Sequence, residues 1–325
     1  MGTTPILLQP RRRARPIARL WRNIKLHRTR LLMLVPAIVL LILFHYIPMC
    51  GIVLAFKKFD ADAGIWGSPW IGLENFRKFF ASIYAKRIIS NTVILNVLGI
   101  AVGFPTTLIF ALLLNELPHE WFKRVAQTVS YFPYFISAVV MAGMVRMLLS
   151  PDLATGLFNQ IRVAVFGKEP LNYLAQPELF RPIYILMGVW QGTGFGAIIY
   201  LAALAGVDVE QYEAAIIDGA NRFQLIRHVT LPALVPTMVV LLLLRLSSIL
   251  RSGLESILML YSPATYVTAD VIETFVYRRG IAGEGAARPD YGFATAVGLF
   301  QSLIGFALIV VTNWLAKRTT DHSLW

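Results

Sequence analysis

Apolar residues along the chain gather in six long runs, roughly residues 31–56, 88–114, 125–149, 182–205, 233–250 and 291–316. Each comes close to or exceeds the about 20 residues that an α-helix needs to cross about 30 Å of hydrocarbon. The pattern therefore predicts an all-α integral membrane protein with six transmembrane helices. The first run is far longer than the roughly 7–15 apolar residues of a signal peptide, and no small-residue cleavage site follows it. It is expected to remain as an anchor.

Finer patterning sits on these runs. Gly99 and Gly103 in the second span, and Gly188, Gly192 and Gly196 in the fourth, recur every four residues. Small residues at that spacing let helix backbones approach one another in a bilayer; the alternative is that lipid-embedded helices simply tolerate glycine. Pro105 predicts a kink in the second span. Arg245, Ser248, Ser252 and Glu255 follow at i, i+3, i+7 and i+10, which on a continuous helix makes one polar stripe. Two segments between spans are long, roughly 150–181 and 251–290. In the first, Leu153, Leu157, Ile161 and Val165 stand four residues apart and predict a short helix outside the membrane. Residues 16–29 carry Ile17, Leu20, Trp21 and Ile24 with Arg19, Arg22 and Lys25 between them. They are either a short helix on the inner membrane surface or a flexible basic tail.

Composition sharpens the class. Of 325 residues, 57% are hydrophobic and 15% charged, against about 45–50% apolar and about 25% charged in soluble domains. Disorder, fibrous repeats and an ordinary soluble enzyme are excluded. The net charge is +12, with nine of the thirty Lys and Arg in residues 1–30. A basic block directly before a membrane span is a topology signal for the cytoplasmic side rather than a nucleic-acid surface. Six crossings then place the C-terminus on the same side. The organisation expected is a basic cytoplasmic segment over 1–30, a six-helix domain over 31–316 and a cytoplasmic tail over 317–325.

Most chemical motifs fail. Cys50 is the one cysteine, so no intrachain disulfide or Cys-based zinc site is possible, and the five histidines are scattered without an HExxH spacing. Gly192-Thr193-Gly194-Phe195-Gly196-Ala197 matches GxGxxA on paper, but a membrane helix precedes it instead of a strand. Gly167-Lys168 is followed by Glu169, so no P-loop exists. The chain is expected to bind no cofactor and no metal and to catalyse no covalent chemistry.

The loop between spans four and five is different. Over 206–232 it carries Glu213-Ala214-Ala215, then Asp218-Gly219, then Val229-Thr230-Leu231-Pro232. Asp208, Glu210 and Glu213 load the first part of a short helix with acids, which the helix dipole favours. Val209, Tyr212, Ala215 and Ile216 share a face, and Gly219 can adopt the positive φ that stops the helix. The result is a compact knob on the cytoplasmic side, suited to a soluble partner.

The spacing EAA-x3-G-x9-V-x-L-P resembles the signature loop of permease subunits in ATP-binding-cassette (ABC) importers, with Val229 where isoleucine is usual. Over roughly residues 20–318 the chain is similar to the maltose-type (type I) carbohydrate permeases. Asp270–Arg278 and Asp290–Ala296 resemble the subgroup that imports oligo- and polysaccharides, including the alginate type. The resemblance implies a second homologous permease, a pair of ATPase subunits carrying ATP and Mg, and a periplasmic solute-binding protein. It further implies that Glu213, Ala214, Ala215, Asp218, Gly219, Val229, Leu231 and Pro232 form the ATPase-coupling loop, and that cargo crosses by alternating access.

Intramembrane polar residues are candidates for the path. Arg245, Ser248, Ser252 and Glu255 come first, then Gln191 and Asn96. An Arg in lipid costs at least about 2.5 kcal/mol unless it faces a cavity or a partner. The planar guanidinium suits a uronate carboxylate, which makes Arg245 a candidate substrate contact; an ion pair within the permease pair or snorkelling to the interface is the alternative. Asn96, Gln191 and Gln301 are weaker candidates, because interhelical hydrogen bonding explains such residues more often than substrate contact does. An ion-driven transporter would lack the Glu213–Pro232 loop, a membrane enzyme would need a catalytic cluster at one depth, and a neutral-sugar cargo would leave Arg245 without its role.

Overall fold

A computed structural model describes residues 27–283 and 289–319. It divides into two units, Met1–Val53 and Leu54–Trp325. Helix α1, Arg28–Phe56, begins in the first unit. It is α-helical to Leu41, passes through a π-turn at Ile42–Tyr46 and ends in 3-10 turns over Cys50–Phe56. The surface helix expected over residues 16–29 falls almost wholly outside the described residues.

The second unit is built from helices, and no strand occurs among the described residues. In order they are α2 Glu74–Ala81, α3 Ala85–Asn115, α4 Glu120–Tyr131, α5 Ala138–Leu148, α6 Leu157–Phe166, α7 Pro177–Leu204, α8 Val209–Ile217, α9 Arg222–Ser247, α10 Leu254–Leu260, α11 Ile272–Gly280 and α12 Tyr291–Thr319. With α1, the long helices α3, α7, α9 and α12 are apolar enough to cross a membrane. Counting the α4–α5 pair as one crossing gives six.

That pair corrects the expectation of a straight third span over 125–149. The chain bends by 99° between Glu120–Phe135 and Ala138–Leu148. Pro133 sits in a 3-10 turn, Phe132–Phe135, where its missing N–H ends the α-helical ladder. Ser137 then caps the next helix by accepting from the Val140 N–H. Pro105, by contrast, leaves α3 unbroken.

Three apolar clusters hold the bundle. Phe79, Ile88, Ile272, Phe275 and Val297 join α2, α3, α11 and α12. Leu95, Met141, Phe180, Met187, Ile257 and Leu260 join α3, α5, α7 and α10. Ala111, Ala197, Tyr200, Leu204 and Leu234 lock α3, α7 and α9 at the other end. The middle of α3 and α7, between the last two clusters, carries Asn96, Gln191, Thr193 and four glycines beside Ile100 and Val189.

The helix expected outside the membrane forms as α6, starting at Leu157, so Leu153 lies before it. It stops at Gly167, whose φ is +60°. Buried Asn159 ties it down by donating to the Ser150 and Leu171 carbonyls and accepting from the Leu171 N–H.

Candidate substrate cavity and coupling loop

Halfway along the bundle, α3, α7 and the end of α9 enclose a cavity of about 320 Å³. Gly99 and Gly103 of α3 and Gly188 and Gly192 of α7 all line it. A Cβ built at any of these four would meet nothing within 4 Å. Of the two rows, Gly196 alone therefore bears out the packing expectation; the other four glycines do not bring α3 and α7 together. They withhold side chains and so leave room. Close packing falls to their neighbours: a Cβ at Gly194 would lie 2.0 Å from the Ser130 carbonyl oxygen, and one at Gly196 would lie 2.9 Å from Thr107 Cγ2.

The polar stripe expected on a continuous fifth helix is also corrected. Helix α9 ends at Ser247, residues 248–253 form an irregular crossover, and α10 starts at Leu254 after Gly253 at φ +67°. Only glycine takes that backbone angle without strain. Arg245, Ser248 and Ser252 still line the cavity, but exposed Glu255 does not. Arg251, which the sequence pattern assigned to an outside loop, lines it as well. No Asp or Glu lines the cavity, and neither the Arg245 nor the Arg251 guanidinium has an ion pair or hydrogen bond among the described residues. The wall thus presents two guanidiniums without an ion pair among the described residues, although Arg251 also borders a second space that Glu273 lines.

Asn96 and Gln191 face the same space. Asn96 Nδ2 donates to the Thr92 carbonyl and, at 2.7 Å, to Ser252 Oγ. Gln191 Nε2 donates to the Ile136 carbonyl at 2.9 Å, anchoring the bend between α4 and α5. Thr193 Oγ1 is buried there without a hydrogen-bond partner among the described residues.

At one end of the bundle lies a charge cluster that sequence patterning missed. Asp270, fully buried, accepts from Arg278 at 2.6 Å, from Arg87 at 3.4 Å and from the Thr274 hydroxyl at 2.8 Å. Asn91 donates to the Asp270 carbonyl and accepts from Arg181. Burial pushes the Asp270 carboxyl above its ordinary value, against the opposing pull of Arg278, Thr274 and Arg87. The residues come from three separate stretches, Arg87 with Asn91, Arg181, and Asp270 to Arg278, so spacing along the chain does not announce their meeting.

At the opposite end is the 206–232 loop. The Asp208 carboxylate accepts from the Glu210 N–H and caps α8. Gly219 follows at φ +82°, and Asn221 and Gln224 form a capping box that restarts the chain as α9. Glu213 and Ala214 are exposed on α8, along with Ile216 and Ile217. A small hollow of about 250 Å³ is bounded by Ala215, Asp218, Gly219, Gln224, His228 and Val229. Tyr212 bonds across to Thr230 at 3.1 Å, which fixes α8 against the start of α9, where Leu231 and Pro232 continue the helix.

Residues 103–321, which hold the loop, most of the cavity wall and the last span, match the model of the family described as binding-protein-dependent transport system inner membrane component. The chain belongs to that family. It is a multi-pass membrane permease of the ABC importer type. It is 37% identical to the polygalacturonan/rhamnogalacturonan transport system permease protein YteP of Bacillus subtilis (strain 168), over 90% of this chain and 89% of that one. Among solved structures, it matches a chain of a bacterial ABC transporter involved in the import of the acidic polysaccharide alginate at 40% identity and a TM-score of 0.84, covering 93% of this permease and all of that chain. It also matches a chain of a bacterial alginate ABC transporter in complex with an alginate pentasaccharide-bound periplasmic protein, at 39% identity and a TM-score of 0.85, covering 94% and 100%.

In this permease, Ala215, Asp218, Gly219 and Val229 of the loop residues picked out by spacing border the small hollow, Glu213 and Ala214 are exposed on α8, and Leu231 and Pro232 lie within α9. The path residues divide. Arg245, Ser248, Ser252, Gln191 and Asn96 share one cavity, while Glu255 does not join them.

Proposed function

We propose that this permease carries an acidic oligo- or polysaccharide, alginate or a related polyuronate, across the inner membrane of a bacterium. It would do so with its N- and C-termini in the cytoplasm. The observation that supports this cargo is the pair of guanidiniums without an ion pair, Arg245 and Arg251, on a mid-bundle cavity that no carboxylate lines among the described residues. A polyuronate brings one carboxylate per sugar, and each can accept a forked hydrogen bond from an arginine. The relatives' acidic cargoes agree with that chemistry.

The chain has no phosphate-binding loop, so the driving force comes from elsewhere. Two ATPase subunits with bound ATP and Mg would receive the α8 knob, with Glu213 accepting charge-assisted hydrogen bonds and Gly219 setting the turn. A second homologous permease would complete the path, and a periplasmic solute-binding protein would deliver the saccharide. Closure of the ATPases would then rock the two permeases about the central cavity.

The test is ATPase stimulation in proteoliposomes holding this chain with its partner permease, ATPase and binding protein. Uronate oligosaccharides are compared with neutral ones of equal length. Stimulation by uronates alone is expected; stimulation by neutral sugars would discard the acidic cargo.

A further inference from the structure

The crossover at residues 248–253 is irregular backbone between two helices, at the level of the cavity. Such backbone is tolerated at membrane depth only where protein groups satisfy it or it lines a wet space. Here four side chains from four helices capture it. Gln301 of α12 donates to the Leu250 carbonyl. Glu273 of α11 accepts from the Ser252 N–H at 3.1 Å. Tyr184 of α7 donates to the Ser252 carbonyl, and Asn96 of α3 donates to Ser252 Oγ at 2.7 Å. Leu250 and Ser252 are consequently buried, whereas Arg251 between them is exposed.

The geometry bears directly on Arg251. The carbonyl before it is held by Gln301 and the N–H after it by Glu273, so the peptide planes on both sides of the residue are fixed. Its side chain stands between two spaces. One is the central cavity; the other, of about 500 Å³, is lined by Gln301, Glu273 and Ser302. A flexible arginine loses side-chain entropy when it is held, and a mobile backbone would add to what binding must order. Holding both flanking peptides removes that second cost.

We propose that Gln301 and Glu273 are positioning residues that hold Arg251 on the cavity wall, where it receives a carboxylate of the acidic cargo. This rests on the cargo reading above. Neither residue touches substrate; each acts through the backbone next to Arg251.

The experiment measures equilibrium binding of a fluorescently labelled alginate tetrasaccharide to the assembled transporter in nanodiscs, arrested outward by a hydrolysis-deficient ATPase. Loss of one charged fork by Arg251→Gln is expected to weaken binding about tenfold. Gln301→Leu and the isosteric Gln301→Glu should weaken it severalfold, while Glu273→Gln, which keeps an acceptor for the Ser252 N–H, should stay near the parent. The decisive sample is the double variant Arg251→Gln with Gln301→Leu, expected to bind within twofold of Arg251→Gln alone, because residues acting through one another are not additive. Fully additive losses, or unchanged binding in both Gln301 variants, would overturn the proposal. A neutral Arg251→Gln would overturn it too; loss in Arg245→Gln in the same assay would then show that the cargo reading itself stands.

Discussion

Asn96 of α3 donates a 2.7 Å hydrogen bond to Ser252 Oγ, across 156 positions of sequence. One bond therefore joins the centre of the second span to the break after the fifth. It makes Asn96 a strut for the crossover as well as a residue of the cavity wall. Asn96→Leu should leave Ser252 Oγ without its donor at the price of about 1–3 kcal/mol. The expected outcome is slower uptake with normal ATPase binding, read by transport assay beside co-purification.

Arg245 is exposed to the cavity and carries no ion pair among the described residues. Arg245→Gln keeps a polar, hydrogen-bonding end on a shorter side chain but removes the charge. Uptake of uronate oligomers should fall about tenfold, the worth of one charge-assisted contact. Unchanged uptake would remove Arg245 from the path.

The glycine rows give a test of cavity against packing. Gly188→Leu points a side chain into open space, so the complex should assemble while transport is lost. Gly194→Ala should do the opposite. Its Cβ would sit 2.0 Å from the Ser130 carbonyl, so the helices must separate and the yield of folded protein should drop. Size-exclusion profiles and transport rates measured together distinguish the two.

Glu213 is exposed on α8, and Gly219 turns the chain behind it. Glu213→Ala should leave the complex assembled but uncouple ATP hydrolysis from uptake. Normal transport by that variant would sink the coupling role.

The Asp270 cluster makes a pH-dependent prediction. Burial raises the Asp270 carboxyl above its ordinary value, so the folded state holds that proton more tightly than the unfolded chain. Its contribution to stability is fully present below the ordinary carboxylate range and is lost as pH rises through the raised value. Arg278, 2.6 Å away, opposes this shift. Arg278→Met should therefore destabilise by about 3 kcal/mol when Asp270 is ionised, and much less in acid. Thermal midpoints of the purified complex at two pH values give the comparison; an equal penalty at both would refute it.

The membrane class and the helix-turn-helix form of the 206–232 loop were legible in the sequence because both are local. A span needs only a run of apolar residues, since each backbone group bonds within its own helix. The loop needs only Asp208 to cap, Gly219 to turn and Asn221 with Gln224 to restart, all within a few residues of one another. Arg245 was legible too, as a charge standing where lipid was expected. What the tertiary structure decided was every relation across distant segments. The glycines at 99, 103, 188 and 192 have a packing spacing, but whether a small residue admits a neighbour or leaves a void depends on what stands opposite. Arg251 looked like part of an outside loop until Gly253 broke the helix and Gln301, Glu273, Tyr184 and Asn96 folded the break back into the bundle. Asp270 met Arg87 and Asn91 only when α3 and α11 were side by side. Local periodicity fixes which helices form; the partners of their buried polar groups are set by three-dimensional packing, which no single stretch of chain encodes.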